Sequence, residues 1–325
     1  MATAGFIPRS CFPAPTVPRA YFLGHHAKAI RKMRELTAEI DLIYEVRDAR
    51  APLSTRNTIF DSIIGAKPRV VVYTKKDLSA VHPDIFRAWH AREGYCVVNT
   101  HDHTSVRKLV SMSKELCFNR ESFSGLRVMI MGMPNVGKSS LLNTLRHAGV
   151  GRRKAAKTGA LAGVTRNISS YVKIHEDPDI FVYDTPGVSL PKTINAETML
   201  TLSTIGSINV GLIDPTIQAD YLLYQLNLVN PDGSLYNKYS PPTNDVEDFL
   251  TSYCIRMPGR LSKGGYPDLL GAATHWVDRW RKGLEGKIAF DDFRNPNAYK
   301  EWEAAQDEQR RKERGQQSDQ KFRVA

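Results

Sequence analysis

The sequence predicts an α/β fold: a doubly wound, mostly parallel sheet followed by a smaller all-helical C-terminal domain. Three observations carry this expectation. Short runs rich in Val and Ile alternate with helix-like segments up to about residue 190. Most of those runs are apolar throughout, as strands buried on both faces of a parallel sheet are. Beyond that point strand-like runs give way to helical periodicity.

The candidate strands are 41–46 (DLIYEV), 69–73 (RVVVY), 95–99 (YCVVN), 126–131 (LRVMIM), 168–174 and 180–183 (IFVY). Between them the spacing predicts helices over 26–39, 55–64, 82–93, 103–118 and 138–147. Later helical patterns cover 196–208, 214–228, 244–254 and 266–284. Turn signals punctuate them at Asn230-Pro231-Asp232-Gly233, Pro241-Pro242 and Lys263-Gly264-Gly265. The domain boundaries expected are a targeting or disordered segment at 1–20, the α/β domain at 21–194, the helical domain at 195–295 and a polar helical or disordered tail at 296–325.

Composition narrows the class. The 325 residues are 42% hydrophobic and 24% charged, as in a soluble globular protein. No apolar run has the roughly 18–20 residues of a membrane-spanning helix. The net charge of +11 points to a polyanionic partner, nucleic acid or an anionic membrane surface. The excess is uneven: residues 1–34 hold six basic residues and no acid, and 122–175 hold nine Lys or Arg and no acid. In 301–325 six basic residues are matched by six acidic ones, which reads as a solvated end. The Pro-rich, acid-free start MATAGFIPRSCFPAPTVPRA suits a mitochondrial targeting segment. The four cysteines lack metal-ligand or CxxC spacing, so neither zinc nor disulfides are expected.

The strongest motif is Gly132-Met-Pro-Asn-Val-Gly137-Lys138-Ser139, a complete GxxxxGK[ST] loop after a strand and before a helix. Asn135, Val136, Gly137, Lys138, Ser139 and Ser140 would cradle phosphates through backbone N–H groups and the helix N-terminus. Lys138 would meet the β- and γ-phosphates, and the Ser139 hydroxyl would reach Mg²⁺. Asp184-Thr185-Pro186-Gly187 follows the strand IFVY, with Asp184 as a Mg²⁺ partner and the Gly187 N–H as a γ-phosphate donor. Thr165, in a Gly-rich stretch between the two, is a candidate second hydroxyl for Mg²⁺. These parts bind any nucleoside triphosphate. Guanine is argued by Thr74-Lys75-Lys76-Asp77, where the Asp77 carboxylate would accept from the base N1–H and 2-amino group. Threonine stands where such turns usually carry asparagine, so a weaker tie to the phosphate loop is expected. The order decides the architecture: the base-reading turn precedes the phosphate loop, so the site is a circularly permuted P-loop GTPase site.

That order, together with Gly24-His25, Asp48-Ala49-Arg50, Arg56-Asn57, GMPNVGKSSLLN and DTPGVSLPK, resembles the YlqF-type circularly permuted GTPases. The likeness runs over about 20–295, and its mitochondrial branch fits the N-terminal composition. The resemblance implies GTP and GDP as ligands, Mg²⁺ as cofactor, and action in assembly of the large ribosomal subunit. Peripheral association with the inner membrane is a further expectation. It also implies a base-edge loop, here at Asn99-Thr100 in place of a Ser-rich sequence. The position that orients attacking water in many GTPases is Val188, which cannot do so. Two substitutes stay open: His25, and a K⁺ ion held by Asn135. Two functional readings also stay open, a regulated GTPase and a GTP-gated RNA-binding scaffold. Candidate ribosomal RNA contacts are Arg146, Arg152, Arg153, Lys154, Lys157 and Arg166, with Arg256, Arg260, Lys263, Arg279, Arg281, Lys282 and Lys287 in the helical domain.

Overall fold

A computed structural model describes residues 6–13, 24–90, 94–119, 125–150, 171–190, 195–262, 264–291, 295, 297–305, 307, 308 and 311. Of the sequence expectations, Thr165, Arg152, Arg153, Lys154, Lys157, Arg166 and Lys263 lie outside the described residues.

Six strands form one sheet: β1 (Leu42–Asp48), β2 (Arg69–Thr74), β3 (Gly94–Val97), β4 (Leu126–Gly132), β5 (Val172–Glu176) and β6 (Asp179–Asp184), in the order β3-β2-β1-β4-β6-β5. All neighbours are parallel except β5 and β6, a hairpin at the edge. The hairpin explains why the fifth strand runs on to Glu176 rather than ending at 174.

Residue alternation assigns the two faces. Leu42, Tyr44 and Val46 of β1 and Leu126, Val128 and Ile130 of β4 share one core cluster. Ile43, Met129 and Met131 belong to the cluster on the other face. That second face is covered by α1 (Gly24–Thr37), through Ala29, Ile30 and Met33, and by α2 (Ile59–Ile64), through Phe60, Ile63 and Ile64. Phe86 of α3 (Pro83–Trp89) packs beside Val71 and Tyr73. The first face receives α4 (His103–Asn119) and α5 (Lys138–Val150).

The helices α6 (Ala196–Thr204), α7 (Pro215–Val229), α8 (Val246–Arg256) and α9 (Leu269–Arg281) complete the C-terminal region. Each begins on a side-chain cap, from Asn195, Asp214, Asp245 and Asp268 respectively. Their core is continuous with the first face of the sheet: Tyr221, Phe249, Trp276 and Trp280 sit in the same cluster as Val128 and Leu141. No described helix is long and apolar enough to cross a membrane.

Both ends of the chain show packing that composition did not signal. Residues 6–13 lie on α7. Arg9 meets Asp220 at 2.6 Å, its backbone N–H donates to Asn244 Oδ1 at 3.2 Å, and Asn244 Nδ2 returns a bond to the Ile7 carbonyl at 2.8 Å. The Phe12 ring stands edge-on to Tyr221, 5.3 Å away. In the tail, residues 298–305 are helical, and Tyr299 and Ala298 pack on Leu53. Arg56 lies over the Tyr299 and Trp302 rings and pairs with Glu303 at 2.6 Å.

Candidate nucleotide-binding site

Parallel strands bring their C-terminal ends to one edge of a sheet, which is where α/β folds bind ligands. Here that edge carries Asp48, Thr74, Gly132 and Asp184, the last residues of β1, β2, β4 and β6. The sheet order places β1 between β2 and β4, so the base-reading turn and the phosphate loop flank Asp48 although 55 or more residues separate them.

The phosphate loop leaves β4 at Gly132 and enters α5 at Lys138. Gly137 has φ +98°, a conformation that L side chains rarely adopt. Gly187 is a glycine for a different reason: a Cβ there would lie 2.6 Å from the Pro134 Cα. The DTPG segment thus touches the phosphate loop, and Val188 N–H donates to the Gly132 carbonyl at 3.3 Å.

Lys138 is buried, and its Nζ donates to the Met133 carbonyl at 2.7 Å. Burial pushes its ammonium down to about 8, against the attraction of Asp184. Ser139 Oγ donates to Asp184 Oδ2 at 2.8 Å. Burial pushes the Asp184 carboxyl up, and its Oδ1 is buried with no hydrogen-bond partner among the described residues. An orphaned, desolvated carboxylate oxygen beside a hydroxyl fits a hard, oxygen-seeking dication such as Mg²⁺.

On the base side, the Thr74 hydroxyl lies within hydrogen-bond reach of the Val136 and Arg47 carbonyls and shares its one proton between them. Threonine at this position ties the turn to the phosphate loop through its hydroxyl. Lys75 Nζ donates to the Asn135 carbonyl at 2.7 Å and to Asp48 Oδ2 at 2.8 Å. Burial pushes the Lys75 ammonium down to about 8. Among the described residues, Lys75 (φ 57°) and Asn135 (φ 54°) are the two non-glycine residues with positive φ. Such conformations persist where surrounding bonds over-determine them, typically at ligand sites.

Lys76 N–H donates to the Val98 carbonyl at 3.2 Å, which steadies the turn from the next strand. Asp77 is half-buried and its carboxylate has no partner among the described residues. Asn99 Oδ1 accepts from the His101 N–H at 2.9 Å. Ser105, which sequence reading passed over, stitches this loop together, accepting from the Asn99 N–H and donating to the Asn99 carbonyl. The Thr100 carbonyl accepts from Thr144 of α5 at 2.5 Å. Ser140 contributes its carbonyl to the same threonine, 2.9 Å away.

Val188 is fully buried in the cluster beneath α1 and has no exposure to the loop edge. Asn57 fixes it there, donating Nδ2 to the Val188 carbonyl at 2.9 Å. His25 is exposed at the start of α1, with its ring against His26 at 4.2 Å, and makes no hydrogen bond to Lys138, Ser139 or Asp184. The Asn135 amide nitrogen is committed to the Gly206 carbonyl at 2.8 Å.

Four of the arginines expected to contact RNA make internal bonds: Arg256 and Arg260 donate to the Lys238 and Gly271 carbonyls at 2.8 and 3.4 Å, and Arg279 and Arg281 are bound more fully. Arg281 donates to the Ser203 and Thr204 carbonyls, each at 2.8 Å, capping α6. Arg279 pairs with buried Glu285 at 2.5 Å. Arg256, Lys282 and Lys287 are exposed.

The depressed Lys138 ammonium gives a pH prediction. A phosphate chain favours protonated Lys138, so its pKa in the complex lies above the free value of about 8. Below the free value the lysine is already charged and adds no pH dependence of its own. Above it, binding takes up a proton, and the GDP association constant is expected to fall by up to about tenfold per pH unit. Titration calorimetry near pH 8.5, in buffers of different ionisation enthalpy, reads this uptake directly. Zero uptake there would mean that Lys138 does not meet the phosphates.

A family model described as "50S ribosome-binding GTPase" matches residues 127–253, and so leaves the 74–77 turn outside its span. Mitochondrial GTPase 1 of Schizosaccharomyces pombe is 34% identical, over 88% of this chain and 93% of that protein. Mitochondrial ribosome-associated GTPase 1 of Xenopus tropicalis is 32% identical, over 83% of this chain and 94% of its own length. Among solved structures, GNP-bound YlqF from T. maritima superposes with a TM-score of 0.56 at 21% identity, covering 82% of this chain and 99% of YlqF, a likeness of fold.

Proposed function

The chain belongs to the mitochondrial GTPase 1 family, and on that premise we propose that this GTPase acts on the large subunit of the mitochondrial ribosome during its assembly. The observation that carries the reading is the meeting of three separated segments, 74–77, 132–139 and 184–187, at one edge of the sheet. The relatives' names and the basic balance of the chain support the ribosomal partner.

In this reading Lys138 and the amides of 135–139 hold the β- and γ-phosphates. Ser139 and Asp184, whose Oδ1 has no partner among the described residues, would hold Mg²⁺, with Thr165 as a further hydroxyl. Mg²⁺ held there would supply positive charge against that developing on the phosphate oxygens. Lys75 covers the base and Asp77 reads its edge. Val188 is locked in the core, so water must be positioned by another group. Asn135 Oδ1 holding K⁺ is one candidate and His25 is the other. Turnover is expected to rise when K⁺ replaces Na⁺ at constant ionic strength, and Asn135→Ala to abolish that rise. Equal rates in the two salts would remove the ion and leave His25 as the group to substitute.

Sedimentation with mitochondrial large subunits, in GDP or a non-hydrolysable GTP analogue, tests the partner. Binding should favour the analogue and weaken steeply with salt, each phosphate contact adding about 0.7–0.9 to the log–log slope. Alanine at Arg256, Lys282 and Lys287 should flatten it. No nucleotide-dependent sedimentation would sink the ribosomal reading. Rescue of assembly by a hydrolysis-dead but GTP-binding variant would favour the scaffold alternative.

A further inference from the structure

The nucleotide site and the helical region are joined by a closed circuit of polar contacts. Asn135 of the phosphate loop donates Nδ2 to the Gly206 carbonyl, in the turn that follows α6, at 2.8 Å. Its own carbonyl accepts from Lys75 Nζ at 2.7 Å. Lys75 Nζ also reaches Asp48 Oδ2 at 2.8 Å. Asp48 is fully buried and takes Arg50 through two side-chain bonds, Nε to Oδ1 at 3.0 Å and NH2 to Oδ2 at 2.8 Å. Arg50 then returns to the same turn, its NH2 reaching the Ile205 carbonyl at 3.3 Å. Its guanidinium lies 5.0 Å from the ring centre of Trp280 in α9, and its backbone carbonyl accepts from the Phe290 N–H at 2.9 Å. Arg50 itself is 1% exposed, so it can touch neither nucleotide nor solvent partner directly.

Two consecutive carbonyls, at 205 and 206, thus receive one donor from the phosphate side and one from the base side. We propose that Arg50 is a positioning residue for the base-reading lysine: seated by Trp280 and the 205–206 turn, it holds Asp48 against Lys75, so that the helical region and the guanine site sense each other. The proposal rests on the reading that Lys75 covers the guanine base.

The physical case has three parts. A buried carboxylate facing a lysine alone would be free to shift with it; the two side-chain bonds from a planar guanidinium fix its orientation. Burial alone would raise the Asp48 carboxyl, yet Arg50 and Lys75 hold it well below the usual carboxylate range, so the charge that anchors Lys75 is present throughout the physiological range. The cation–π contact with Trp280 and the carbonyl contact at Ile205 belong to the helical region, so a change in its seating would reach Arg50. Coupling of this kind is reciprocal: whatever factor seating adds to nucleotide affinity, nucleotide adds to seating.

The test uses the full-length chain, with fluorescent GDP for affinity and amide hydrogen exchange for seating. In the wild type, GDP is expected to slow exchange over 196–208 and 269–281. Arg50→Lys keeps a charge beside Asp48 but loses the planar fork and the Trp280 stack. It should weaken GDP and GTP equally, by about tenfold, leave kcat unchanged, and lose the nucleotide-dependent protection, because a contact to the base acts alike on ground and transition states. Trp280→Leu, far from the nucleotide, should do the same to a smaller degree. A general loss of structure would instead lower kcat and the fraction of active protein. Should either variant fail to fold, the wild-type exchange decides: no GDP-dependent protection of α6 and α9 overturns the proposal. Unchanged affinity in Arg50→Lys also overturns it while leaving the GTPase reading intact, whereas a wild type that bound no guanine nucleotide would remove that reading first.

Discussion

Lys138→Ala is expected to lower kcat/KM for GTP by at least about 10²–10³-fold, some 3–4 kcal/mol of transition-state stabilisation. The lysine is held in a dry site, where a cation aimed at developing phosphate charge is worth far more than in water. Its anchor is a neutral carbonyl, that of Met133, and no carboxylate pairs with it within hydrogen-bond reach among the described residues. That arrangement is poor for stability, since a buried ammonium loses hydration and gains one bond. Removing it should therefore leave the nucleotide-free chain as stable as before, or slightly more so. The combination is diagnostic. A structural lysine would lose melting temperature along with activity; a lysine kept for phosphate loses turnover alone. Single-turnover hydrolysis and thermal unfolding of the nucleotide-free variant measure the two halves. Wild-type turnover in Lys138→Ala would show that this loop does not hold the reacting phosphate.

How much of this was readable beforehand divides by range. The phosphate loop, the DTPG segment and the base-reading turn are short runs whose chemistry is local, and each stands at a strand end as its motif requires. The sheet followed from apolar runs for the same reason. What sequence did not disclose are contacts between distant segments. Asn57 locking Val188, Asn135 reaching Gly206, and Arg50 lying against Trp280 depend on which strands neighbour which. The basic set in the helical region shows the cost of counting charges: Arg279 and Arg281 look like surface cations in sequence and are spent on Glu285 and on the end of α6. The chain ends carried a usable signal that charge balance obscured. Phe12 in the Pro-rich start and Tyr299 and Trp302 in the polar tail are large apolar side chains, and all three pack against the body of the protein.

Asp77→Asn is expected to weaken GTP and GDP binding by about 10²-fold or more and to turn the preference toward xanthine nucleotides. The wild-type carboxylate is acceptor-only and can take both the guanine N1–H and the 2-amino group, bonds to a charged group worth about 1.5–3 kcal/mol each. The amide of asparagine offers one acceptor and one donor, so its NH₂ would face the 2-amino group and leave one polar contact unmade. Xanthine carries an oxygen at that position, which the amide can satisfy. The surroundings favour a clean exchange. Asp77 has no protein partner to lose among the described residues, and the turn is held by Thr74, Lys75 and the backbone of Lys76 rather than by the Asp77 side chain. The substitution should therefore leave folding and the phosphate loop untouched, and kcat with the xanthine nucleotide should approach that of the wild type with GTP. Competition of XDP and GDP for the labelled site, in both proteins, reads the switch. A variant that binds GDP as tightly as the wild type, and XDP no better, would assign the reading of the base to another residue.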